Sequence, residues 1–174
     1  RVMSERTDTV EDGGDSPLET LERWYHIPAL LGILVFMLWA RVQSYGSFVV
    51  DGEVYFRGND PWYHLRETTY LLENWPNTLP FDVWTGFPFG RTAGQFGTLW
   101  DHIMAVGIWV AGPVMGGPEE VMLVMAPLAG ALVAVPTYLI ARRFADRPAA
   151  LGGAVVLALL PGTFFRYSLV GFPD

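Results

Sequence analysis

Asp60, His64 and Arg66 lie within two helical turns of one another in the stretch GNDPWYHLRETTYLLENW, residues 58–75. They set an acid, an imidazole and a guanidinium together just after an apolar, membrane-like run. Two kinds of chemistry fit. An Asp directly before Pro61 is an ordinary helix N-cap, its carboxylate accepting backbone N–H bonds while the proline takes the first helical position. The same carboxylate, once oriented, can offer its second oxygen to a hard divalent cation. Such ions take few protein oxygens and complete their shell from substrate phosphate. A cation site needs a second acid on the same side of the membrane. Asp174 is the candidate, although an Asp after Gly171 and Pro173 also reads as a plain turn residue. His64 and Arg66 read as interfacial anchors, and His64 and Asp101 as structural groups.

The elements that must position these residues are membrane helices. A bilayer core of about 30 Å needs roughly 20 apolar helical residues. Residues 24–45 fit, with aromatics at both ends, as do 121–141 and the shorter 149–165. Ala126, Gly130 and Ala134 form a small-residue stripe that admits close approach of another segment. Pro127 and Pro136 are tolerated where membrane neighbours satisfy the freed carbonyls. Residues 98–117, which carry Asp101 and His102 near their start, are apolar but ambiguous. Arg142, Arg143 and Arg147 crowd the link 142–148, which makes that link cytoplasmic. Three spans with an inside N-terminus satisfy this, with 98–117 interfacial or re-entrant. The expected fold class is therefore an all-α multi-pass membrane protein with a long, partly helical first external loop, 46–120. Residues 166–174 begin a second external loop.

That first loop is far longer than a simple connection. SFVVDGEVYF alternates apolar and polar residues around Asp51-Gly52, a hairpin signal. Helix then starts at Pro61, with Trp62, Leu65, Thr69 and Leu72 repeating at helical spacing, widened by Leu71 and Trp75, to lie apolar face down on the membrane. Residues 74–97 read as irregular and punctuated by Gly and Pro.

Composition narrows the function classes. The 174 residues are 51% hydrophobic, with seven Trp, no Cys and a formal net charge of −7. Disulfides and thiolate metal sites are excluded. An acidic balance argues against nucleic acid, whose phosphates need clustered Lys and Arg. Much of the negative charge sits in residues 1–23, which read as a disordered cytoplasmic tail. A chain beginning at Arg1 and stopping at Asp174 reads as a piece of a longer protein.

GNDPWYHLRETTYLL, FPFGRTAGQFGTLWDHI and LLPGTFFRYSLVGFPD, in that order, resemble successive blocks of the oligosaccharyltransferase catalytic subunit, most closely its archaeal form. The likeness runs over about residues 24–174. It implies a transmembrane domain of the glycosyltransferase C type, embedded in the cell membrane with its catalytic face outside. It also implies a bound Mn²⁺ or Mg²⁺. The implied activity is transfer of a glycan from a dolichol phosphate or pyrophosphate carrier to the Asn of an Asn-X-Ser/Thr acceptor. Asp60 ends the family's first acidic motif and would hold both the metal and the acceptor amide. Asp174 matches the first acid of the second motif and would be a metal ligand. Arg166 would be a catalytic cation, either facing the phosphate or standing behind the groups that touch it. It stands eight positions before Asp174 where the family usually has seven, a difference of about 100° on a helix. Gln95 stands in the loop segment where some relatives carry a His. Rival readings are another lipid-sugar-dependent transferase, such as a protein O-mannosyltransferase, and a transporter or non-catalytic membrane subunit.

Overall fold

The computed structural model describes residues 16–94, 97–160 and 162–172. Helix α1 (Pro17–Trp24) occupies the end of the stretch expected to be a disordered tail. The reason is local: Ser16 and Glu19 form a reciprocal capping box, with Glu19 N–H donating to Ser16 Oγ at 3.2 Å and Ser16 N–H to Glu19 Oε2 at 2.8 Å. This box satisfies two backbone donors and nucleates a helix that composition alone does not announce. Arg147 Nη1 donates to the Glu22 carbonyl at 3.2 Å, which ties α1 to the helix that Arg147 opens.

Helix α2 (His26–Val42) runs into a 3₁₀ turn at Tyr45–Ser47. Together His26–Ser47 is 22 residues and apolar enough to cross a membrane. The same holds for Pro118–Ala141, 24 residues, formed by α5 (Pro118–Leu132) and α6 (Ala134–Ala141). The one-residue break at Val133 lies just where Pro136 denies a hydrogen bond to the carbonyl four residues earlier. Helices α4 (Leu99–Met115) and α7 (Arg147–Leu159) are apolar but shorter, 17 and 13 residues. The helix expected over 149–165 thus stops early. Leu160 takes an extended ψ of 110°, as a residue preceding proline must, and a short α8 (Thr163–Tyr167) follows.

Gly130 and Ala134 of the small-residue stripe meet other segments closely, Ala134 together with Ala131 from outside the stripe. Ala131 and Ala134 pack with Met37 of α2 and with Ala154 and Ala158 of α7 in one buried cluster. A Cβ on Gly130 would collide with Ser168 and crowd the Arg41 side chain. Arg41, fully buried, donates from Nε to Ser168 Oγ at 2.9 Å and from Nη1 to the Met37 carbonyl at 3.2 Å. Its own carbonyl accepts from Val170 N–H at 3.1 Å. The Arg41 cation, near the end of the first apolar helix, turns inward and holds the segment that leads toward Asp174.

Between the two membrane-length helices lies the long connection. Strands β1 (Val49–Val50) and β2 (Glu53–Val54) pair antiparallel, Val49 with Val54 and Val50 with Glu53. Asp51 and Gly52 at the turn both have positive φ, 54° and 84°, the backbone that a two-residue hairpin loop demands. Helix α3 (Asp60–Asn74) follows and packs against α4. A second hairpin, β3 (Phe81–Asp82) with β4 (Arg91–Thr92), lies where irregular chain was expected. Val54, Phe56, Met104, Ile108, Val121 and Val170 belong to one buried cluster that welds the first hairpin, α4, α5 and the 168–172 segment together.

Gly130→Val in the full-length protein is expected to cost about 1–3 kcal/mol through overpacking against Ser168 and Arg41. Thermal unfolding in detergent reads this as a lowered midpoint, and an unchanged midpoint contradicts the packing described.

Candidate functional site

Asp60 is the first helical residue of α3; the N-cap is Asn59, and no side chain caps the helix. The capping role expected of Asp60 is therefore not the one observed. Pro61 at the second helical position leaves one fewer orphan N–H to satisfy, and the Asp60 side chain is exposed. It opens onto a cleft of about 600 Å³. One wall is α3, from Asn59 through Trp62, Tyr63, His64 and Arg66; the other is the turn Trp84–Gly86 that follows β3.

The face of α3 that is buried overlaps the expected apolar stripe only in part. Tyr63, Glu67, Thr68 and Leu71 are buried, whereas Trp62, Thr69 and Trp75 are exposed; of the predicted stripe, Leu71 is fully buried and Leu65 and Leu72 pack against the core as partly buried residues. The helix turns a partly polar face inward because polar partners wait there. His64 Nδ1 lies 2.7 Å from Oδ1 of Asp101, a fully buried acid on α4. Burial first, and then the neighbouring Asp101, push the Glu67 carboxyl above its usual range. Burial also raises the Tyr63 phenol, whose oxygen accepts from Gly94 N–H at 3.2 Å and so pins the loop after β4.

Arg66 is not a free cation. Its Nη2 lies 2.6 Å from Asp82 Oδ2 and its Nε donates to Oδ1 at 3.1 Å, a bidentate pair, while Nη1 caps the Trp62 carbonyl at 2.9 Å. Asp82 also accepts from Trp84 N–H at 3.1 Å and from the Thr85 hydroxyl. Burial works against the Asp82 carboxylate. The bonds from Arg66, Thr85 and Trp84 outweigh it and hold the pKa down at about 2. This network clips the second wall of the cleft to α3, and the two-residue β3–β4 pairing is too short to do so alone.

Two long-range contacts bring the other end of the chain to the same place. Arg57 N–H donates to the Gly171 carbonyl at 3.0 Å, and the Arg57 guanidinium sits 5.4 Å from the centroid of the Phe172 ring. Gly171 has φ +87°, and a Cβ there would collide with the Phe48 ring. Arg57 is three residues before Asp60, and Gly171 is three before Asp174. Three residues reach at most about 10 Å. Asp174 and Gln95 lie outside the described residues. Arg166, in the last turn of α8, is exposed and, among the described residues, is not one that lines the cleft. Among the described residues, no three carboxylate or imidazole side chains converge closely enough to enclose an ion. Sequence reasoning missed the Arg66–Asp82 and His64–Asp101 pairs; the only signal was that all four are polar residues in an apolar setting.

A mostly helical chain with two membrane-length apolar helices, and an acid-bearing cleft in the connection between them, has the make-up of a membrane-embedded helical protein. Residues 30–174 match the family described as "Oligosaccharyl transferase STT3, N-terminal", and the chain belongs to that family. It is 51% identical over 161 residues to the dolichyl-monophosphooligosaccharide–protein glycotransferase AglB of Haloferax volcanii, covering 90% of this chain and 15% of the relative. It is also similar to solved structures of an Archaeoglobus fulgidus oligosaccharyltransferase. One, in complex with an inhibitory peptide and a dolichol-phosphate, gives a TM-score of 0.74 at 26% identity over 88% of this chain and 18% of that one. Another, in complex with Zn and sulfate, gives 0.72 at 27% identity over 84% and 18%. A third, tethered to an acceptor peptide containing an NVT sequon, gives 0.73 at 27% identity over 88% and 18%. The chain thus spans about a sixth of the length of these proteins.

Asp82 has a folded pKa below its ordinary value of 3.8, so its contribution to stability is present above that ordinary value and is lost as pH falls through about 2. The shift corresponds to about 2 kcal/mol. Asp82→Asn removes the charge, and hydrogen exchange of residues 79–92 in the full-length protein is expected to rise at neutral pH. Unchanged protection there contradicts the clip.

Proposed function

We propose that this chain is the N-terminal part of an enzyme that transfers a glycan from a dolichol phosphate or pyrophosphate carrier to the Asn of an Asn-X-Ser/Thr acceptor. Family membership supports the reading, as do the substrates named for the relatives: a dolichyl-monophosphooligosaccharide donor for the Haloferax protein, and dolichol-phosphate and an NVT sequon peptide for the Archaeoglobus one. The observation that carries it for this chain is the state of Asp60. It is an exposed carboxylate, not consumed by capping, at the mouth of a cleft beside the segment that leads to Asp174.

The chemical difficulty is the acceptor. An amide nitrogen is a poor nucleophile because its lone pair is delocalised into the carbonyl. Asp60 accepts hydrogen bonds from the acceptor amide and points its nitrogen at the sugar carbon, so that orientation lowers the barrier. The donor set suits a divalent cation: Asp60 supplies a hard, exposed oxygen, and Asp174 would supply a second. When bound, Mn²⁺, Mg²⁺ or a similar ion supplies charge neutralisation for the departing phosphate. The Zn complex of the Archaeoglobus protein supports a divalent site of this kind. Asp82 neutralises Arg66, so Arg66 braces the cleft wall and does not bind phosphate itself. Arg166, exposed on a neighbouring segment, is the phosphate-facing cation of this reading.

The connection 46–120 and residues 166–174 lie outside the cell, with Arg142, Arg143 and Arg147 inside, following the positive-inside rule. Three crossings satisfy this arrangement, with α4 held at the interface or re-entrant, because a fourth crossing would move the arginine-rich link outside. The chain carries the first acid of the site and the approach to the second. The remainder of the full-length protein completes it.

Asp60→Ala in the full-length protein is expected to lower glycosylation of a reporter sequon by about a hundredfold or more while membrane insertion stays intact. Near-normal glycosylation by that variant overturns the role given to Asp60.

A further inference from the structure

We propose that His64 is a ligand of the same divalent ion as Asp60, with Asp101 fixing the orientation of its ring. This rests on the metal-dependent reading above. Asp60 and His64 are four residues apart on one helix, so they stand one turn above the other on the same side, and both line the cleft. Pairs of ligands at this spacing are a common way for a helix to present two donors to one ion.

The second observation is what the rest of the imidazole does. Nδ1 faces Asp101 Oδ1 at 2.7 Å, and toward a carboxylate oxygen the ring nitrogen is the donor. With Nδ1 as the N–H, the neutral tautomer carries its lone pair on Nε2, the nitrogen on the ring edge directed away from Asp101. A histidine that ligates a metal almost always donates its other N–H to a carboxylate or carbonyl, which sets the tautomer and aims the ring. Asp101 is fully buried and comes from a different helix, 37 residues along the chain. Its Oδ2 is buried without a hydrogen-bond partner among the described residues. Withdrawing a carboxylate from water to bond one imidazole is expensive. A pair that served only to clip α3 to α4 would not need its imidazole to line a cleft beside Asp60, an acid with no ion pair among the described residues. His102 shows the contrast: it sits one residue from Asp101, its ring bonded to the Thr98 and Pro76 carbonyls, and it does not line the cleft.

An imidazole among oxygen donors also selects the ion. Nitrogen ligation favours first-row transition cations such as Mn²⁺ and Zn²⁺ over Mg²⁺, which holds to oxygen. The site therefore discriminates against Mg²⁺ because of His64, and losing the ring should narrow that gap.

The test uses the full-length protein purified and titrated with Mn²⁺ and with Mg²⁺, followed by pulsed electron paramagnetic resonance of the Mn²⁺ form. His64→Gln is expected to weaken Mn²⁺ binding by about 10- to 100-fold, to lower the Mn²⁺ over Mg²⁺ affinity ratio, and to remove a ¹⁴N coupling seen in the unaltered protein. Asp101→Asn is expected to weaken Mn²⁺ binding in the same direction, and His102→Gln to leave it unchanged. An affinity ratio and ¹⁴N coupling that are the same with and without the His64 ring overturn the proposal, while the metal site itself stands. Should His64→Gln fail to fold, an unchanged Mn²⁺ affinity in Asp101→Asn overturns the proposal equally. Failure of the unaltered protein to bind Mn²⁺ at all overturns the metal-dependent reading and this inference with it.

Discussion

The backbone bond from Arg57 N–H to the Gly171 carbonyl joins two parts of the chain more than a hundred residues apart, and the site depends on that junction. Each side of it is held in place by a different constraint. Gly171 has to be glycine, because its φ is positive and the Phe48 ring fills the space a Cβ would need. Val170 beside it is fully buried in the cluster that also contains Val54 and Phe56. One turn back, the buried Arg41 grips Ser168 and receives the Val170 N–H on its own carbonyl. Placing a guanidinium inside a membrane-length helix is costly, and such residues are kept where they do something specific. Here the cation fixes the path of the segment that approaches Asp174, while the hairpin at 49–54 fixes the path of the chain into Asp60.

The cleft itself is stabilised by charges placed where they neutralise one another. Arg66 and Asp82 form a bidentate pair that draws the Trp84–Gly86 turn against α3. Deeper in, Glu67 and Asp101 sit close enough for one to raise the other's proton affinity, and His64 answers one of them directly. Truncating one member of a buried polar set generally costs more than the set contributes as a whole, because its partner is left uncompensated. The result is a braced wall presenting Asp60, an exposed acid with no ion pair among the described residues. Preorganisation of that kind is what a positioning role requires.

Much of this was legible in the sequence, and the unread parts share a physical cause. The Asp51-Gly52 hairpin, the two long apolar helices and the close-packing stripe at Ala126, Gly130 and Ala134 follow from local chemistry, and the structure forms each of them. Asp60 stood out in the sequence as a helix cap, and there the structure differs: Asn59 holds the N-cap position and the Asp60 side chain is exposed at the cleft. The third apolar helix ends at Leu159 because the residue before a proline avoids helical ψ, a local rule that hydropathy counting overrode. What could not be read were the long-range partnerships. Arg66 with Asp82, His64 with Asp101, Arg41 with Ser168 and Arg57 with Gly171 span from 16 to 127 residues. No period or composition in one sequence announces such pairs. They also explain why the buried face of α3 adds Tyr63, Glu67 and Thr68 to Leu71 and leaves Trp62 and Thr69 of the apolar stripe outside.

The central claim is that the chain leading into Asp60 and the chain leading into Asp174 meet on one side of the membrane. Paired cysteines at Arg57 and Phe172, in an otherwise cysteine-free full-length protein, test it most directly with a short, membrane-impermeant thiol crosslinker added to intact cells. The account predicts efficient crosslinking between these two positions and none between position 57 and a cysteine placed at Asp146. Crosslinking absent from the first pair, or a cysteine at position 172 that labels only after the cells are broken, would contradict it.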